Sequence, residues 1–115
     1  MIRLLPVLLL ACAGTDEDPC ANELTYDDFG AAMMAQYCTG CHSTNIPTSH
    51  RNGAPPTVNL DHYAGVVEWV DVILEVAAPV EEPSMPPGGG TTALERDLLR
   101  EWLTCQVTDD AEFVP

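Results

Sequence analysis

Three stretches of this chain repeat apolar residues at the spacing of a helical turn, and two stretches between them forbid a helix. Phe29, Met33 and Tyr37 recur at i, i+4 and i+8, one face of a helix. Thr25 precedes them as an N-cap, and Asp27 and Asp28 suit the dipole of the first turn. Helix one is therefore expected from Thr25 into the segment "CTGCH". Tyr63, Val66, Val67, Val70, Ile73 and Leu74 fall largely on one side of a second predicted helix, from Asp61 to about Val76, although its β-branched content works against it. The third opens with a capping box, Thr92 and Glu95. It carries the stripe Leu94, Leu98, Leu99, Trp102 and Leu103 to an end near Cys105. Residues 43–59 are rich in Ser, Thr, Asn, Gly and Pro, and "PVEEPSMPPGGG" has four prolines and three glycines in twelve residues. The pattern predicts an all-α domain over residues 25–105: three short helices, two long loops and no internal repeat. Three short helices make a thin core for so much loop, so something besides side chains should fill the middle.

The two ends read differently. "MIR" is a cationic start and "LLPVLLL" an apolar run too short to span a bilayer as a permanent helix, so residues 1–11 are expected to be a signal peptide. Cleavage near Ala11 or Ala13 is one outcome. "LLAC" also resembles a bacterial lipobox, and that resemblance implies a mature chain beginning at lipidated Cys12, anchored on the periplasmic side of a bacterial membrane. Ala13, rather than Asp, after that cysteine fits the outer membrane by the same resemblance. Residues 12–24 read as a polar tether and 106–115 as an acidic C-terminal tail. Export places the chain where disulfides persist.

Charge narrows the partners. Eighteen acids against four Lys+Arg give a formal charge of −14 over 115 residues, with no lysine. Phosphate recognition needs clustered cations, so a nucleic-acid ligand is excluded. Any protein partner should present a neutral or basic face. Acidity does not mean disorder here, because 46% hydrophobic content supplies a core.

The cysteines carry the chemistry. Of the five, Cys12 belongs to the lipobox. Cys38-Thr39-Gly40-Cys41-His42 is the c-type haem attachment pattern. Two thiols three apart can each add to one vinyl group at a haem edge, and the adjacent histidine reaches the iron. A thioredoxin-like dithiol would need a βαβ context, and zinc would need a further ligand pair that His50 and His62, twelve apart, do not supply. A plain Cys38–Cys41 disulfide would leave His42 unexplained. Cys20 and Cys105 flank the helical region and could close a disulfide.

At these residues the chain resembles a small monohaem cytochrome c of the bacterial lipoprotein kind. The resemblance rests on "CTGCH", on the loop "SMPPGGG" and on the closing helix "LERDLLREWLTC". It implies a cytochrome c-like domain whose loops wrap one covalently bound haem c. It implies single-electron transfer to redox protein partners rather than enzymatic turnover. It implies that helices one and three cross at Gly30 against Leu98, Leu99 or Trp102, with Met34 where an aromatic often lies. It implies that Pro55 or Pro56 offers a carbonyl to the ring of His42. His42 would be one axial ligand and Met85 the other, held in a stiff proline-rich loop where no helical stripe claims it. His50 and His62 are the rival ligands; Met33 and Met34 read as core fillers, and Trp69 and Trp102 either as core or as haem contacts. Two other functions stay open: a haem protein with an open sixth site, acting as a peroxidase-like enzyme or sensor, and a structural lipoprotein with a disulfide or zinc at "CTGCH".

Overall fold

The computed structural model describes residues 17–113; the expected signal peptide, Cys12 and the first part of the tether lie outside them. The described chain is all-α, with no strand among the described residues. A π-turn, Tyr26–Gly30, leads directly into α1, Ala31–Tyr37. Thr25 caps it as expected: its Oγ1 accepts the Asp28 N–H at 3.2 Å while Asp28 Oδ1 accepts the Thr25 N–H at 2.7 Å. Asp28 therefore closes a capping box as well as serving the dipole.

The second predicted helix is two helices. It starts at Tyr63 rather than Asp61, because the Asp61 carboxylate is engaged by the loop: Oδ2 accepts from Ser43 Oγ, Thr44 Oγ1 and the Thr44 N–H. It then breaks at Trp69, whose backbone (φ −106°, ψ 13°) leaves the helical region, separating α2, Tyr63–Glu68, from α3, Val70–Val76. Each piece buries its own side: Val66 from α2, Val70 and Ile73 from α3.

The last helix runs further than expected. Past α4, Ala93–Trp102, it continues through a π-segment, Leu103–Val107, into α5, Thr108–Glu112. The apolar stripe explains why. Leu99, Leu103, Val107 and Ala111 are spaced four apart, Val107 is fully buried, and Ala111 packs on the core. Tyr63 Oη donates to Asp110, pinning α5 to α2. Most of the expected tail is thus folded helix. At the other end the stripe begins later than expected, since Leu94 is 68% exposed.

Trp102 sits at the centre of the core, with no exposure. The rings of Tyr26, Phe29 and Tyr63 surround it at centroid distances of 6.3, 6.1 and 6.4 Å, and its Nε1 donates to Gln106 Oε1 at 2.7 Å. Gly30 rests directly on the indole: a Cβ there would lie 2.2 Å from Trp102 Cζ2. The expected close crossing of the first and last helices is present, with Trp102 as the partner. Gly65 makes a second close approach, since a Cβ on it would lie 2.0 Å from the Asn59 carbonyl oxygen.

Polar ties close the frame. Cys20 and Cys105 form a disulfide with Cα atoms 5.8 Å apart. Beside it Asn22 donates to the Glu101 carboxylate from its N–H at 2.9 Å and its Nδ2 at 2.8 Å, so the end of the tether is docked rather than loose. Arg100 bridges α4 to the exit of α3, donating from Nε to Ala78 O at 2.9 Å and from Nη2 to Pro79 O at 2.7 Å.

Candidate functional site

The core fills only one side of this frame. On the other, α1, α3 and the two long loops enclose a cavity of about 770 Å³. That is well within the range of small-molecule and cofactor sites. Cys38, Cys41 and His42 line it, and so does Met85, which is distant from them in sequence.

The segment of residues 38–42 extends α1 by one tight turn. The Cys38 and Thr39 N–H groups both donate to Met34 O at 2.9 Å, and those of Cys41 and His42 donate to Cys38 O at 3.2 and 2.9 Å. Tyr37, just ahead of the motif, ties this end of α1 to α4: its Oη donates to Glu95 Oε1 at 2.7 Å. Glu95 meanwhile accepts the Thr92 N–H at 2.7 Å, so one carboxylate serves both the helix cap and the cavity wall. Its pKa is lowered, chiefly by the Thr92 N–H and then by the Tyr37 hydroxyl.

Cys38 and Cys41 are unpaired thiols. Burial pushes the Cys38 thiol up to about 11. Among the described residues no three His, Cys, Asp or Glu side chains gather in a metal-binding cluster.

His42 is held at three points. Its N–H donates to Cys38 O, its carbonyl accepts the Leu60 N–H at 2.9 Å, and its Nδ1 lies 3.2 Å from Val58 O. A carbonyl can only accept, so Nδ1 carries a proton toward Val58 and Nε2 is left for another partner. The carbonyl expected from Pro55 or Pro56 comes instead from Val58. Pro55 O is taken by the Val58 N–H at 3.1 Å and Pro56 O by Asn59 Nδ2 at 3.0 Å. Met85 is half-buried, and its N–H donates to Val76 O at 3.0 Å, which fastens the proline-rich loop to the end of α3.

His50 and His62 are exposed and do not line the cavity. Of the two tryptophans, Trp69 lines it while Trp102 is core. Met33 is a core residue that also touches the cavity, and Met34 is core alone.

Two features were missed from sequence. Arg51, 3% exposed, is buried in the loop after the motif, and it lines the cavity. Its Nη2 donates to Val58 O at 2.7 Å and Asn59 Oδ1 at 2.8 Å, and its Nη1 to Ser43 O at 3.3 Å. Arg51 Nε and Trp69 Nε1 are buried donors with no protein partner. None of the cavity-lining residues is Asp or Glu. A signal for Arg51 was present: it is the one cation between His42 and Arg96 in a chain with four.

Compared with known proteins, the chain matches no family model, no curated protein and no solved structure. Among the described residues no helix is long and apolar enough to cross a membrane.

Proposed function

We propose that the chain is a cytochrome c-like electron-transfer protein, its loops wrapped around one covalently bound haem c in this cavity. The observation that carries the reading is the convergence of two reduced thiols, an oriented imidazole and a thioether on one apolar space. The donor set fits the group. Cys38 and Cys41 would form the thioethers, His42 Nε2 and the Met85 sulfur would hold the iron, and the buried donors Arg51 Nε and Trp69 Nε1 suit the cofactor's carboxylates. A haem held by histidine and methionine supplies one-electron exchange at raised potential.

The residues around it have separable tasks. Val58 fixes the tautomer and plane of His42. The ties of Met85 to Val76 and of Tyr37 to Glu95 fasten the loop and the end of α1 that line the cavity. Arg51 and the lack of lining carboxylates keep the cavity free of negative charge inside a strongly acidic protein. Partners would then be redox proteins with neutral or basic faces, and export with lipid anchoring at Cys12 completes the proposal. The Cys20–Cys105 disulfide supports an oxidising compartment.

The test is expression in a host competent for haem ligation, followed by intact mass and a pyridine haemochrome spectrum of denatured protein. One haem retained through denaturation is expected. Polypeptide mass alone, with or without lipid, refutes the proposal.

A further inference from the structure

We infer that Arg51 is a positioning residue that sets the strength of the His42–Val58 hydrogen bond, and through it the electron affinity of an iron held by His42. The inference rests on the haem reading above.

The Val58 carbonyl oxygen has two lone pairs and receives two donors. One is the His42 ring N–H at 3.2 Å, and the other is the Arg51 guanidinium at 2.7 Å. The charged donor makes the shorter and stronger bond. Two donors on one oxygen compete, so the guanidinium draws density that would otherwise go to the imidazole proton. Arg51 is also a buried cation with no ion-pair partner, since the one salt bridge among the described residues joins Arg100 to Asp97. The Nη2 that reaches the carbonyl bonds neutral oxygens alone, whatever carboxylate Nε takes.

The direction follows. A weaker bond from Nδ1 leaves the ring closer to neutral imidazole and less like imidazolate. A less anionic ligand donates less to the metal, which favours the ferrous state. The positive charge itself has the same sign of effect. Val58 alone would hold the ring; Arg51 limits how strongly it pulls. Arg96 and Arg100 also donate to backbone carbonyls, but on α4, at carbonyls no candidate ligand uses.

The experiment compares haem-loaded wild type with Arg51→Gln, Arg51→Lys and Asn59→Asp. The readouts are the midpoint potential and the His42 Nδ1–H proton resonance in the diamagnetic ferrous protein. Arg51→Gln should shift the reduction equilibrium toward the ferric form about tenfold, about 59 mV for one electron, and move the Nδ1–H resonance downfield. Arg51→Lys, which keeps a point charge but loses the fork, should fall between. Asn59→Asp places a carboxylate on the same Nη2 and should shift both readouts in the Gln direction, which keeps the test open if Arg51→Gln does not fold. Variants that load haem but leave the Nδ1–H resonance unmoved would show a loop staple only and overturn the inference. Wild type that takes up no haem fails the haem reading instead.

Discussion

Adding a single methyl group at Gly30 tests whether the first and last helices meet on rigid surfaces. In Gly30→Ala the new Cβ would lie 2.2, 2.5 and 2.7 Å from Cζ2, Cη2 and Cε2 of Trp102. Carbon pairs rest at about 3.5–4.0 Å, so the helices must part by roughly an ångström or the indole must move. The indole has no free direction. It is fully buried, ringed by Tyr26, Phe29 and Tyr63, and bonded through Nε1 to Gln106. Overpacking of this kind costs about 1–3 kcal/mol, and three rigid contacts put it at the upper end. Gly30 has helical angles (φ −61°, ψ −45°), so alanine returns about 1 kcal/mol of helix propensity. The net loss should be about 2 kcal/mol. In equilibrium urea unfolding with the disulfide intact, and a slope of about 1–1.5 kcal/mol/M, the midpoint should fall by about 1.3–2 M. Trp102→Phe removes the offending part of the ring, so the double variant should recover part of the loss, with a coupling of about 0.5 kcal/mol or more. A Gly30→Ala midpoint at or above wild type, or a cycle with no coupling, would refute the rigid crossing.

Three further outcomes follow from separate parts of the molecule. On the haem reading proposed above, Met85→Ala should abolish the long-wavelength thioether–iron band of the ferric protein and let ferrous protein bind CO, both read by absorption spectroscopy; a surviving band would remove Met85 as ligand. Replacing Cys20 and Cys105 together by Ala opens a closed loop spanning a separation of 85 residues. This should cost about 4–5 kcal/mol in the chain-entropy account, checked by thermal melting. Asp61 is lowered to about 2, first by the Thr44 hydroxyl and then by Ser43 and backbone N–H groups, against desolvation. Its contribution is therefore fully present above the ordinary carboxylate range and lost as pH falls through about 2. The melting-temperature gap between wild type and Asp61→Asn should hold at pH 6 and close between about pH 4 and 2.

The helices were legible because periodicity and caps are local: Thr25, Thr92 with Glu95, and the Leu99–Leu103 stripe each signal within one or two turns. What failed was decided by contacts distant in sequence. Asp61 suits a helix start until Ser43 and Thr44 claim its carboxylate. Trp69 sits in a helical pattern yet breaks it, and its indole lines the cavity. The stop placed near Cys105 overlooked Val107 and Ala111, which extend the same four-residue spacing into residues that look like an acidic tail. In the candidate site, Cys38, Cys41 and His42 declare themselves by adjacency. The partner of the His42 ring does not, because any residue's carbonyl can serve. Val58 O faces the ring, while the carbonyls of Pro55 and Pro56 accept within the turn from the Val58 N–H and Asn59 Nδ2. Arg51 was overlooked because a lone cation in a loop looks like surface until its three carbonyl and amide acceptors are seen.

The bond between Cys20 and Cys105 also determines how the molecule carries mechanical load. Tension arriving along the chain from the N-terminal side reaches Cys20 and crosses covalently to Cys105, bypassing everything in between. The helices and loops that build the cavity hang from that junction as a slack loop that a pull cannot straighten. A pull between the two ends can extend only what lies outside the bond, before Cys20 and after Cys105.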